Sequence, residues 1–261
     1  MRLLFLGDLV GRAGRQAAID RLPGLITDYN LDFVVVNGEN AAGGFGITED
    51  ILQAVLDAGA DAVTTGNHAF DQREALTYAA RQERWLRPAN YPAGNPGKGK
   101  VVRQTAGGVN VAVMQFMGNV FMPPIDNPFY CADRELAELG DAAKVIIVDI
   151  HGEATSEKQA FGRYLDGRVS GVFGTHTHVP TADERILPNG TAYLTDLGMT
   201  GAYDSVIGFR PDEALHRFLM NTPKKLEVAK RDIRLSGVLV EVDENTGRAT
   251  RVARIHEHLG E

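Results

Sequence analysis

The 261-residue chain is 44% hydrophobic and 23% charged, with 29 glycines and 11 prolines, a balance that excludes a disordered or fibrous protein and fits one globular domain over 1–261. A net charge of −7 argues against binding to nucleic acid or an anionic membrane through a basic field, so an anionic substrate must be attracted locally, by a metal or a helix N-terminus. The single cysteine, Cys131, has no intrachain disulfide partner and reads as a small semi-buried residue, and without a leader-like or ~20-residue apolar stretch the expected location is the cytoplasm.

In chain order, the apolar residues fall mostly in short runs closed by glycine or a polar residue, the pattern of strands buried on both faces. Residues 3–6 end at Gly7-Asp8, and a helical pattern over 14–29 follows with Ala17, Ala18, Leu22, Leu25 and Ile26 on one side. Residues 33–36 end at Asn37-Gly38-Glu39-Asn40. Thr48 then caps a helix carrying Ile51, Leu52, Val55 and Leu56 that closes near Gly59. The run 62–65 ends at Gly66-Asn67-His68. Residues 90–100 and 116–128 read as long loops, and between them 101–105 and 109–114 flank Ala106-Gly107-Gly108 as a hairpin. Residues 145–148 run on to His151-Gly152-Glu153, a helix begins at Ser156-Glu157, and 169–173 end at Gly174-Thr175-His176-Thr177-His178. Two further hairpins pair 186–187 with 193–194 and 237–242 with 249–255. Strand–helix alternation with added antiparallel pairs predicts a layered α/β protein, with a mixed sheet or two packed sheets. The basic residues Lys224, Lys225, Lys230, Arg231 and Arg234 read as a solvated strand or helix face.

Five of these runs are each followed at once by a side chain able to hold a metal ion. At the carboxyl edge of an open α/β sheet, Asp8, Glu39, Asn67, His151, His176 and His178 would converge. Carboxylates with imidazoles suit Mn, Fe, Zn or Co better than Ca or Mg, and a set without cysteine disfavours a closed structural zinc site. The set is too large for one ion with open positions. Shared between two ions, with one carboxylate bridging, it suits phosphoester hydrolysis and gives an acidic protein a local cationic point. Asp71, Asp149 and Glu153 lie near the motifs, either orienting ligand imidazoles or as caps and solvated carboxylates. His216, His256 and His258 lack convergent partners and read as surface residues. Gly43-Gly44-Phe45-Gly46 reads either as a structural turn or as a point of close substrate approach with Phe45 as a base-stacking surface.

Taken in order, Gly7-Asp8, Gly38-Glu39-Asn40, Gly66-Asn67-His68, His151-Gly152 and Gly174-Thr175-His176-Thr177-His178 resemble the calcineurin-like metallophosphoesterase superfamily. The variants Gly7-Asp8-Leu9-Val10-Gly11, Gly38-Glu39-Asn40-Ala41 and Gly66-Asn67-His68-Ala69-Phe70-Asp71 resemble its bacterial YmdB-type cyclic-nucleotide phosphodiesterase branch, over nearly the full chain. The resemblance implies a layered metallophosphoesterase-type fold, with mixed β-sheets packed together, flanking helices, and a metal site at the carboxyl ends of the strands. It implies two divalent ions, Fe or Mn ahead of Mg, Zn or Co, with Asp8 and His178 on the first, Asn67, His151 and His176 on the second, and Glu39 bridging. The implied reaction is hydrolysis of a 2′,3′- or 3′,5′-cyclic nucleotide by a hydroxide bridging the metals, with His68 protonating the leaving oxygen. Imidazole chemistry supports that last role independently, since histidine donates a proton near neutral pH and Asn67 does not. The broader superfamily has histidine where this chain has Val10 and aspartate where it has Glu39; the amide oxygen of Asn40 is the candidate for the missing ligand. Two alternatives stay open: the same site acting on phosphomonoesters, phosphoproteins or RNA, and a non-catalytic regulatory protein with a structural metal site. A homo-oligomer is compatible with the sequence.

Overall fold

The computed structural model describes residues 1–260. Its first part runs β1 (Arg2–Leu6), β2 (Asp8–Leu9), α1 (Gly11–Tyr29), β3 (Phe33–Asn37), α2 (Glu49–Asp57), β4 (Ala62–Thr64), α3 (Ala75–Tyr78) and β5 (Trp85–Leu86). Next come β6 (Lys100–Gln104), β7 (Asn110–Met117), α4 (Pro128–Leu139), β8 (Val145–His151), α5 (Thr155–Tyr164), β9 (Gly171–Thr175), β10 (Arg185–Ile186) and β11 (Ala192–Leu194). The chain returns to the first sheet through β12 (Met199–Ala202), α6 (Pro211–Met220), β13 (Ile233–Val242) and β14 (Ala249–Gly260).

Two mixed sheets result. In the first, β1, β3, β4 and β5 run parallel, and β13 lies antiparallel on the other flank of β1. β12 and β14 both pair with β13, and β2 joins β12 at the edge. The second sheet orders as β10-β11-β9-β8-β7-β6, parallel from β11 to β7 with an antiparallel strand at each edge.

Alternation along each strand deals its side chains to two layers. In β1, Leu4 and Leu6 join the cluster that contains Leu22 and Leu25 of α1 and Leu52 and Val55 of α2. Leu3 and Phe5 point the other way, into a cluster with Val113, Ile147 and Phe173 of the second sheet. Phe5 meets Phe173 edge-on, ring centroids 6.1 Å apart. The outer face of the second sheet packs Met114, Val148 and Ile150 against Cys131 of α4 and Phe161 of α5. The layers are therefore helix, sheet, sheet, helix, and continuous apolar runs are what strands covered on both faces require.

The expected elements appear, with adjusted limits. The Thr48 hydroxyl accepts from the Ile51 N–H at 3.4 Å and caps α2. Helix α1 starts at Gly11 rather than at 14, and β9 spans Gly171–Thr175 rather than 169–173. Three helices were not anticipated, the single-turn α3 and the longer α4 and α6, although α4 and α6 both begin with proline in the first turn and the Asn127 side chain caps α4. The loop expected over 116–128 is consequently shorter, since β7 runs to Met117 and α4 starts at Pro128. Lys224, Lys225, Lys230 and Arg231 lie on an irregular segment, not a strand or helix face; of that basic cluster only Arg234 is in a strand. Cys131 is fully buried rather than semi-buried. No helix among the described residues is long and apolar enough to cross a membrane.

Candidate metal centre

Each parallel strand stops where its apolar run stops, and the next residues carry the polar side chains. β1 delivers Asp8, β3 Glu39 and Asn40, and β4 Asn67 and His68; β8 ends on His151, and β9 is followed by His176 and His178. The expectation of a single sheet edge is corrected here: the first three strands belong to one sheet and the last two to the other. The residues meet because the two sheets are packed with their carboxyl ends on the same side. Close approach imposes glycine at Gly66, where a Cβ would fall on Glu39 Oε2 and the His151 ring. His176 and His178 sit at φ of 97° and 65°, backbone values uncommon for a residue with a side chain, and they are held there by surrounding contacts. Beneath this turn the buried Lys158 ammonium donates to the Thr175 carbonyl at 2.9 Å and pairs with Asp196 at 2.7 Å. Asp196 in turn accepts from the Thr177 N–H and hydroxyl.

All eight predicted site residues are brought together. Around Glu39, His151 Nε2 lies 2.6 Å from Oε2, 3.0 Å from Asn67 Oδ1 and 3.1 Å from His176 Nδ1. Their other atoms are committed. The Thr175 hydroxyl gives its proton to Asp149 at 2.7 Å and so accepts from His151 Nδ1 at 2.9 Å, while His176 Nε2 faces the Glu153 carboxylate at 3.2 Å. Protons on those outer nitrogens leave the bare lone pairs of two imidazoles, an amide and a carboxylate facing one another. A second group repeats the pattern. His178 Nδ1 donates to the Ile207 carbonyl at 2.8 Å, and its Nε2 lies 3.3 Å from Asn40 Oδ1 and 4.0 Å from Asp8 Oδ1. Asn40 donates from Nδ2 to the Gly44 carbonyl at 2.8 Å, which turns its oxygen inward.

Acceptors a few ångströms apart in a buried site repel unless a proton or a cation lies between them. Asp8 Oδ1 and Glu39 Oε2 are both buried without a hydrogen-bond partner, and Asp8, Glu39 and His151 present ligand atoms within 4.8 Å of one another. This donor set fits divalent cations. The electrostatics carry the same signature. Burial drives the Asp8 carboxyl above the ordinary carboxylate range, against the pull of His178 and His151. At Glu39 burial acts in the same sense, but the adjacent His151 prevails and brings the carboxyl down to about 2. Burial also opposes a charged His151, yet Glu39 and Asp8 lift it to about 9, whereas burial and the neighbouring His151 push His176 down to about 3.

His68 lies at the rim, its side chain 27% exposed. Its backbone N–H donates to Glu39 Oε1 at 2.6 Å, and its Nδ1 is 2.7 Å from Asp71 Oδ2. Of the three carboxylates near the motifs, Asp71 therefore touches His68, Glu153 touches His176, and Asp149 reaches His151 through Thr175. The roles of Thr175, Lys158 and Asp196 were not foreseen: nothing local distinguishes a buried threonine or lysine that holds a turn from one on a surface. His216, His256 and His258 lie away from the centre, as expected; His216 bonds Thr222, and the other two flank Arg234 and Asp232. A cleft of about 370 Å³ opens above the centre between His68, His176, His178 and Phe45.

The family described as YmdB-like protein matches residues 4–255. The chain belongs to the YmdB-like family. This YmdB-like chain is 47% identical over 255 residues to a Bacillus subtilis (strain 168) protein named 2′,3′-cyclic-nucleotide 2′-phosphodiesterase, covering 98% of this chain and 96% of that one. Among solved structures, a hypothetical protein from Thermus thermophilus superposes with a TM-score of 0.93 at 41% identity, over 99% of each chain. A protein from Mycoplasma pneumoniae described as a novel phosphatase gives 0.93 at 35% identity, over 99% of this chain and 93% of that one. The YmdB-like architecture is therefore shared across the whole chain, and membership implies divalent metal ions at a centre whose donors fit them.

Proposed function

We propose that this YmdB-like chain is a cytoplasmic, dinuclear metal-dependent phosphodiesterase that hydrolyses cyclic nucleotides, with 2′,3′-cyclic esters as the first substrates to test. The observation that carries the reading is the pair of inward-facing acceptor groups sharing one cleft with His68. Asp8, Asn40 and His178 would hold one ion, and Asn67, His151 and His176 the other, with Glu39 between them. This mixture of carboxylate, amide oxygen and imidazole suits Mn, Fe, Zn or Co, and the family resemblance puts Fe or Mn first. Divalent ions bound there supply positive charge for the phosphate and lower the pKa of water. The protein's own part is to orient and to move a proton. Thr175, Glu153 and the Ile207 carbonyl fix which nitrogen of each imidazole faces inward. Asp71 holds His68 by Nδ1, which leaves Nε2 free to pass a proton to the departing ribose oxygen.

Replacing His68 with alanine is expected to lower kcat/KM on a 2′,3′-cyclic nucleotide by about 100-fold or more while elemental analysis finds the metal content unchanged. Full turnover by His68→Ala would remove it from the chemistry. The solved relative described as a phosphatase favours one second reading, a phosphomonoesterase using the same site. Comparing kcat/KM on cyclic nucleotides and nucleoside monophosphates decides between them.

A further inference from the structure

The wall of the cleft away from the metal-capable side chains is apolar. It is formed by Phe45, Val179, Ile207 and Phe209, and Phe45, Val179 and Ile207 remain 39%, 55% and 48% exposed. Phe45 stacks on the buried Phe209, centroids 5.7 Å and planes 29° apart, and stands edge-on to His68 at 5.1 Å. Its position is fixed by the backbone. The Gln72 amide donates to the Phe45 carbonyl at 2.6 Å, and the glycines on either side, Gly44 and Gly46, both have positive φ. A Cβ on Gly44 would press on the Phe209 ring. An aromatic held this firmly beside a proton donor contributes nothing to proton or cation chemistry, and its exposed surface is unfavourable in water until something covers it.

On the basis of the phosphodiesterase reading above, we infer that Phe45, backed by Phe209, is the platform on which the nucleobase of a cyclic nucleotide stacks while its phosphate occupies the centre. The same wall dictates how the base is read. The Thr177 hydroxyl already donates to Asp196 at 2.8 Å, Glu153 faces His176, and the Asn40 amide nitrogen is committed to Gly44. Among the described residues lining the cleft, no free side-chain amide remains to pair with a base edge. Recognition then rests on stacked ring area: purines are preferred over pyrimidines, and adenine and guanine are barely distinguished.

The test is a ratio measured on the metal-loaded enzyme: kcat/KM for adenosine 2′,3′-cyclic phosphate over that for the base-free methyl ribofuranoside 2′,3′-cyclic phosphate. Stacking predicts a ratio on the order of 5 to 100 for the natural chain. Phe45→Ala should bring it towards one, with Phe45→Leu as the milder variant, and Phe45→Trp should keep or raise it. If Phe45 serves only to brace His68, both substrates slow together and the ratio is unchanged, which overturns the proposal. A ratio near one in the unmodified enzyme overturns it as well. Hydrolysis of p-nitrophenyl phosphate with no turnover of either cyclic ester is a different failure, since it removes the phosphodiesterase reading on which the stacking platform rests.

Discussion

At Asn40 a single side chain bears on the question the sequence raised at Val10. Val10 is fully buried and bridges the backbone of Asn40, and a Cβ on Gly208 would fall against its side chain. Asn40 Oδ1 instead faces His178, held by the bond from Nδ2 to Gly44. If that oxygen completes the first ion's set, Asn40→Ala should reduce bound metal from about two ions per chain towards one by elemental analysis, and Asn40→Asp should restore it. Two ions retained by Asn40→Ala would show that Asn40 only shapes its loop. The polar residues that meet at the centre were legible because each lies just beyond an apolar run. Thr175 was not, because its importance lies in a proton passed between Asp149 and His151, residues that no local pattern links to it.

Among the elements, α1 shows packing prevailing over propensity. Alanine is the better helix former by about 1 kcal/mol, so Gly14 should gain from replacement on propensity alone. Yet α1 lies so close to β12 that a Cβ at Gly14 would collide with the Thr200 carbonyl, a backbone atom with no freedom to yield. Gly14→Ala should therefore destabilise the protein by about 1–3 kcal/mol, read as a fall in Tm of roughly 2–4 °C per kcal/mol for a chain of this size. An unchanged or higher Tm would mean that helix and strand part easily. Helices α1, α2 and α5 and the longer strands follow the apolar period and were legible, as was the Thr48 cap, whereas α4 and α6 were not, despite their length. Strands of two to four residues such as β2, β5 and β12 were not, because so short a segment has no period to read and becomes a strand only by pairing with a neighbour distant in sequence.

For the molecule as a whole, the two sheets act as one support. Phe5 and Phe173 meet in the layer between them, one two residues before Gly7-Asp8 and the other three before His176. Phe5→Ala should cost about 3–5 kcal/mol of stability, seen as an earlier midpoint in chemical denaturation. It should also weaken metal binding, since the halves of the centre hang from different sheets. An unaltered midpoint would show that the interface reseals around the lost ring. The amino-acid sequence by itself determined the layered α/β class and the full set of polar residues at the strand ends, because burial on both faces demands unbroken apolar runs and a polar residue marks where each run reaches water. Only the tertiary structure decided that those ends belong to two sheets, that Asn40 turns its oxygen inward and that Phe45 rests on Phe209. Those facts depend on how side chains far apart in the chain pack against one another, and packing is a property of surfaces in three dimensions that no local period encodes.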